Sequence, residues 1–401
     1  MDHYPSPVKA FNEVQRKQIT ISFAWLILAG AIGIVLRWHF ISPIADFPFA
    51  WWRHAHSHLA FLGWIGNVFI SLLLFDQSRP RWLERLWWFS QLLLIGMSIS
   101  FPLGGYSGWS IVFSTIHILC CWLFATWWFV VGRKGVAALQ QTAGDWAFAL
   151  LSISQLGPVG LGLSMALAPE QRQWYEFFLH FYLYFQHSGW FILGIIAISL
   201  KYGMAQPNTK KWQQFITWTG YYSIIYFTAS QGQILKSGLP LALALLSLAT
   251  AFQLLRIFPI WPVKRNLQPL NNSAWVLWKL AIVCWILKIV MEQAFLIPGI
   301  QDFTENNRFF QLGFLHLNFL GIVCPLLFVL FIHQHKAHIT KWPVALYLLG
   351  TLLTLLLLFA NGLPNFWLPF SIEFGYLLLF VASLLLWLAK LSFYALFLKK
   401  V

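Results

Sequence analysis

Charge is what this sequence has least of. Only 9% of its 401 residues are Asp, Glu, Lys or Arg, against about 25% in an ordinary water-soluble domain. That shortage excludes a soluble globular enzyme, a disordered chain, a collagen and a coiled coil. Cysteine is also scarce. Cys120, Cys121, Cys284 and Cys324 all sit inside apolar runs, so they read as small buried hydrophobes and not as a disulfide framework. The chain has no HExxH, no phosphate-binding glycine loop and no nucleophile elbow. Its first apolar stretch lacks a cleavage pattern and is expected to be retained.

What is present is apolar and aromatic. Hydrophobic residues make up 59% of the chain, including 24 Trp and 38 Phe, a composition suited to lipid contact and interfacial aromatic belts. A transmembrane helix needs about 20 mostly apolar residues. Twelve such segments can be drawn, among them 18–37, 53–75, 173–200, 212–230, 238–257 and 308–333. They are continuous runs and not the alternating segments of about 10 residues that mark a β-barrel. Lipid offers no water to unpaired backbone groups, so the spans must be helical.

The expected fold class is therefore an all-α membrane protein, one polytopic domain over residues 1–401. Its twelve transmembrane helices fall into three pseudo-threefold four-helix units, approximately 18–131, 144–257 and 273–397.

Charge sets the expected orientation. The two termini and the connections on their side hold 18 Lys and Arg, and the opposite side holds five. By the positive-inside rule both termini are cytoplasmic, in a multi-pass inner membrane. The net charge of +14 thus reads as topology and lipid contact, with no nucleic-acid partner expected.

Histidine carries the chemistry. His58-Leu59-Ala60-Phe61-Leu62-Gly63 in the second segment matches His316-Leu317-Asn318-Phe319-Leu320-Gly321 in the tenth at five of six positions. His187 in the sixth segment lies 129 residues from each. Equal spacing and an equal step of four helices point to an internal repeat. By the helical rise, His58 sits roughly 8 Å inward of Arg53 and His316 roughly 12 Å inward of Arg308. His54 and His58 share one helix face, with His56 on another. Glu176, His180, Tyr184 and His187 form one polar stripe along the sixth segment.

Ionisable groups at this depth mark a pathway or a site. Neutral imidazole is a common metal and haem ligand, so His54, His56, His180 and His187 are candidate metal ligands. The second ring nitrogen of a ligand needs an acceptor, for which Glu176, Tyr184, Asn67, Gln155 and Asn318 are candidates. Lys288 and Glu292, four residues apart, read as an intramembrane ion pair. The run from His333 to His338 reads as a solvated helix end.

Twelve helices in three arcs, with histidines on helices 2, 6 and 10, resemble subunit I of the haem-copper oxidases and nitric oxide reductases. That resemblance implies one low-spin haem held between His58 and His316, the matching positions. It also implies a copper ligand on helix 6, where His180 is followed four residues on by Tyr184. The adjacent histidines that the family places near helix 7 have no counterpart here, and position 314 is Phe314, so a complete binuclear centre is not expected. Trp52-Arg53-His54-Ala55-His56 also resembles the start of the NnrS proteins, a multi-span family linked to haem, copper and nitric oxide stress.

The resemblance implies a membrane haem protein with copper as a second cofactor. Its work would be electron transfer or nitric oxide and oxygen handling, and its donor a protein or a quinol. Two other functions compete: a transporter or proton relay using the His/Glu/Tyr stripe, and an assembly protein whose histidines are merely satisfied.

Overall fold

The computed structural model describes residues 10–76, 79–204, 209–231, 239–257, 272–335, 341–363 and 372–398. The His338 end of the expected histidine run lies outside them. Every regular element among the described residues is helical, and none is a strand. Among the described residues, ten helices are long and apolar enough to cross a membrane. They are α1 (Glu13–Trp38), α2 (Phe49–Leu74), α3 (Arg81–Gly104), α4 (Trp109–Gly132), α5 (Ala138–Leu167), α6 (Arg172–Lys201), α9 (Asn272–Phe295), α10 (Arg308–Gln334), α11 (Lys341–Gly362) and α12 (Ile372–Leu398). Between α6 and α9 lie α7 (Thr209–Ser230) and α8 (Leu239–Ile257).

The seventh and eighth expected spans are thus helices, but neither qualifies by length and apolarity. The sequence of α7 is diluted by Lys210, Lys211, Gln213, Gln214 and several hydroxyl residues. In α8 the apolar stretch is only Leu241–Arg256. The all-α membrane architecture stands, with ten helices meeting the criterion where twelve were expected.

Local chemistry starts and stops these helices. Asn12 and Gln15 form a reciprocal capping box at the start of α1, satisfying two donors that have no partner inside the helix. Asn307 caps α10 through Phe310 N–H at 3.1 Å. Gly105 ends α3 at φ 65°, a conformation that costs glycine little.

Burial separates two kinds of helix. In α3, Leu92, Ile95, Ile99 and Leu103 are exposed along one face, as are Leu241, Leu245, Leu248 and Phe252 in α8. Such stripes are unfavourable in water and natural against lipid. By contrast, α2, α6 and α10 are the three most buried spans, at 78%, 89% and 83% of their central windows, and the next highest is 56%. These are the three helices that carry the repeated histidines.

Each of the three also departs from α-geometry near its histidine, and α4 does so at Trp128–Gly132. A π-helical segment runs Leu59–Gly66 in α2, Phe185–Trp190 in α6 and Leu317–Val323 in α10. In α2 and α10 it begins one residue after His58 and His316. In α6 it begins after Tyr184 and contains His187. Single π-turns inside α-helices cluster at functional sites, and here the repeated motif carries a repeated backbone distortion.

The chain forms two compact units. One comprises residues 11–120, 270–281 and 307–401, the other residues 121–269 and 282–306 together with the N-terminal ten. The first packs α1, α2, α10, α11 and α12 around an aromatic core. Phe23 lies 4.8 Å from Trp64, and Phe328 stacks on Phe393 at 4.1 Å. The second packs α5 and α6 with α7, and Phe148 meets Trp190 at 5.0 Å.

Close approach of α5 and α6 depends on Gly157. A Cβ there would stand 2.6 Å from Tyr182 Cβ and 2.9 Å from the Phe178 carbonyl oxygen, whereas one at Gly162 would meet nothing within 4 Å. Backbone cannot step aside cheaply. Gly157→Ala should lower stability by about 1–3 kcal/mol as an overpacking change, while Gly162→Ala should be neutral or slightly stabilising. Thermal unfolding of the two variants in detergent checks this; equal melting temperatures would refute it.

Candidate functional site

In the first unit, α2 offers histidines to two different faces, as their spacing requires. On one face the His56 imidazole reaches α1. Its Nδ1 lies 2.8 Å from the Ala29 carbonyl oxygen. Gly33 makes this approach feasible, because a Cβ at that position would stand 3.0 Å from His56 Cε1. His56 and His316 of α10 are within electrostatic reach of one another, and both are within reach of Arg37 and Lys390.

Lys390 of α12 is buried, 8% exposed, and its Nζ would lie 3.7 Å from a Cβ at Gly30. It makes no hydrogen bond or ion pair among the described residues. None of the electrostatic neighbours of His56, His316, Arg37 and Lys390 is a carboxylate. The result is two cations beside these histidines with no counter-charge among the described residues.

On the other face, His54 and His58 lie against α3 and its exit. The His58 ring is 4.5 Å from Phe101, and the His54 ring is 5.9 Å from Phe101 and 5.7 Å from Tyr106. His117 of α4 is within electrostatic reach of His58. The structure thus groups His316 with His56, and His58 with His54 and His117.

The hydrogen bonds decide what these rings present. His58 Nδ1 is 2.8 Å from the His54 carbonyl oxygen, and His316 Nδ1 is 2.7 Å from that of Leu312. Each side chain reaches back one helical turn, from the residue just before its π-segment. A carbonyl oxygen only accepts, so Nδ1 must donate in His56, His58 and His316. In a neutral imidazole the lone pair then sits on Nε2. No hydrogen bond engages Nε2 of these three rings among the described residues. One nitrogen of each ring is oriented by a carbonyl, and the other carries the lone pair.

None of the side chains anticipated as acceptors takes that role among the described residues, and the Tyr184 hydroxyl and Asn318 Oδ1 are buried without a hydrogen-bond partner. Asn67 pairs with Gln91 of α3 through bonds of 3.0 and 3.1 Å. Asn318 Nδ2 donates to the Phe314 carbonyl at 2.8 Å. Gln155 donates to Ser154. Glu176 is salt-bridged to Arg172 at 2.6 Å on an exposed turn. Backbone carbonyls take the role instead, and a backbone acceptor leaves no mark in a sequence.

In the second unit, the stripe on α6 is graded in depth. Glu176 and His180 are half-buried, and Tyr184 and His187 are buried. His187 Nδ1 is 2.9 Å from Ser188 Oγ. Ser188 in turn donates to Glu292 Oε1 at 3.2 Å. The Lys288–Glu292 pair foreseen in the ninth segment is formed, at 2.5 Å, with side chains 3% and 0% exposed. Tyr222 of α7 donates to the other carboxylate oxygen at 3.0 Å. Among the described residues no three His, Cys, Asp or Glu side chains come together as a metal-binding group. All four cysteines are free and buried, as anticipated.

Four participants escaped the sequence reading: Arg37, Lys390, Tyr222 and Ser188. Gly30, Gly33 and Arg37, spaced along one face of α1, were the available signal for the first. Tyr222 was one of several hydroxyl residues in α7, with nothing local to single it out.

Removing one partner of a buried ion pair leaves a bare charge in a medium that cannot solvate it. Lys288→Met should therefore cost about 3–5 kcal/mol, and Lys288→Met with Glu292→Leu should recover most of that loss. Unfolding measurements on the single and double variants check this. A double variant as unstable as the single one would contradict it. No protein-family model matches the chain, and no curated protein matches it.

Proposed function

We propose that this protein is a membrane haem protein in which two neutral imidazoles hold one low-spin haem, serving electron transfer in nitric oxide or oxygen handling. The observation that carries the reading is the shared state of His56, His58 and His316. Each spends Nδ1–H on a backbone carbonyl and presents Nε2, which is how an axial ligand is oriented.

Haem also brings two carboxylates into a membrane. Arg37 and Lys390, uncompensated by any acid and flanking His56 and His316, fit that need. The ligand pair we propose is His316 with His56, because these two share the two cations. The pairing of His316 with His58, implied by the resemblance to the oxidases, is the alternative that the test separates. Held by His316 and His56, a haem would supply one-electron transfer. The protein's own contribution is to fix the tautomer, neutralise the carboxylates and exclude water.

The reading takes α7 and α8 as spans, giving twelve in three units, with both termini on the cytoplasmic side of a bacterial inner membrane and a protein or quinol as electron donor. Matching π-segments in α2, α6 and α10 support the threefold repeat. Copper is not needed by this reading.

The test is the visible spectrum of protein purified from haem-replete cells, with His56→Ala, His58→Ala and His316→Ala compared. A low-spin spectrum that is lost in His56→Ala and His316→Ala and kept in His58→Ala is expected. Loss in His58→Ala with retention in His56→Ala would transfer the second ligand to His58. Retention in all three, or no haem in the parent, would overturn the proposal.

A further inference from the structure

The second unit contains a buried polar cluster that the haem reading does not use. At its centre, the Glu292 carboxylate accepts three hydrogen bonds, from Lys288 Nζ at 2.5 Å, Ser188 Oγ at 3.2 Å and Tyr222 Oη at 3.0 Å. Gln293 Nε2 donates to Tyr222 Oη at 2.9 Å and is also 3.1 Å from Ser247 Oγ. The titratable groups facing Glu292 are Lys288 on its own helix, Tyr184 on α6, and Tyr222 and Tyr226 on α7, Tyr226 being stacked on Tyr184 at 5.1 Å, while His187 of α6 faces Lys288. The Lys288 ammonium stands 5.9 Å from the centre of the Tyr184 ring.

Lys288 has three N–H donors and uses one. Its only hydrogen bond among the described residues goes to Glu292, so two donors remain. They have somewhere to go. A cavity of about 10 Å³ adjoins the pair, lined by Lys288 together with the hydroxyl residues Ser188, Thr219, Tyr222 and Ser223. That is room for one water, and a buried water needs two to four polar partners, which this wall supplies.

A purely structural ion pair in a membrane core is poorly explained by stability, because desolvating two charges offsets most of their attraction. Ionisable residues at this depth are more often part of a proton or substrate pathway.

We propose that Lys288, Glu292 and one water in the adjoining cavity form a proton-exchange site within the membrane. In the resting state the pair is ammonium and carboxylate. On uptake, an N–H bond of Lys288 breaks as an O–H bond forms at Glu292 Oε1. The freed nitrogen lone pair takes a proton delivered from the aqueous phase through the water. The pair becomes ammonium and carboxylic acid, with one proton and one positive charge gained. Release reverses both transfers. Tyr222 and Ser188 hold the carboxylate in line, and the amide of Gln293 ends the chain on the Tyr222 side because an amide N–H does not relay protons.

Infrared difference spectroscopy on the full-length protein in bilayers, titrated with pH, tests this directly. The expected result is a protonated-carboxyl C=O band that appears as pH falls. Glu292→Gln abolishes it, and Tyr222→Phe, which keeps both charges, shifts it. A single water O–H band should accompany it, should move when the sample is prepared in water labelled with heavy oxygen, and should vanish in Thr219→Val/Ser223→Ala. If Glu292→Gln does not fold, Lys288→Gln/Glu292→Gln removes both charges and serves as the blank. A carboxyl region that stays flat throughout the pH range in which the protein remains folded overturns the exchange site. So does a band that Tyr222→Phe leaves unmoved. A carboxyl band with no labelled-water partner overturns the water's place in it.

Discussion

A polar atom in hydrocarbon must find its partner inside the protein, and everything distinctive here follows from that constraint. It makes the backbone helical. It buries the histidine-bearing helices α2, α6 and α10 and leaves stripes of Leu, Ile and Phe exposed on α3 and α8. It also decides the protonation pattern of the histidines. With no water to share, His56, His58 and His316 each turn Nδ1 onto a backbone carbonyl, and the lone pair is left on the other nitrogen.

The same constraint gives the two units different characters. In the second, the charges cancel locally: Glu292 is matched by Lys288 and supported by Ser188 and Tyr222. In the first, Arg37 and Lys390 find no acid among their neighbours. One unit thus satisfies its buried carboxylate with three donors, and the other leaves two cations beside two imidazoles. The haem we propose, which carries two carboxylates, would supply the charge that the second lacks.

Much of this was legible in the chain. Continuous apolar runs announced helices, and the four-residue spacing of Lys288 and Glu292 announced their pair. The alternation of His54, His56 and His58 announced two faces. What stayed hidden had no local signature. The carbonyls of Ala29, His54 and Leu312 belong to residues of no special type. Arg37 and Lys390 are more than 350 positions apart and meet the histidines only through the packing of α1 and α12. The matched hexapeptides at His58 and His316 gave no hint that a π-segment follows each histidine. Helix α7 was legible as a helix, while its Trp, Tyr and Phe mask how polar it is.

The central claim is that membrane burial fixes the tautomer of these histidines and so prepares them as ligands. Solid-state nuclear magnetic resonance of the haem-free protein in bilayers, with histidine labelled at both ring nitrogens, measures it most directly. The account predicts that the resonances of His56, His58 and His316, assigned by their loss in the corresponding alanine variants, show a protonated Nδ1 and a bare Nε2. Protons found on Nε2 of His56 and His316 would contradict it.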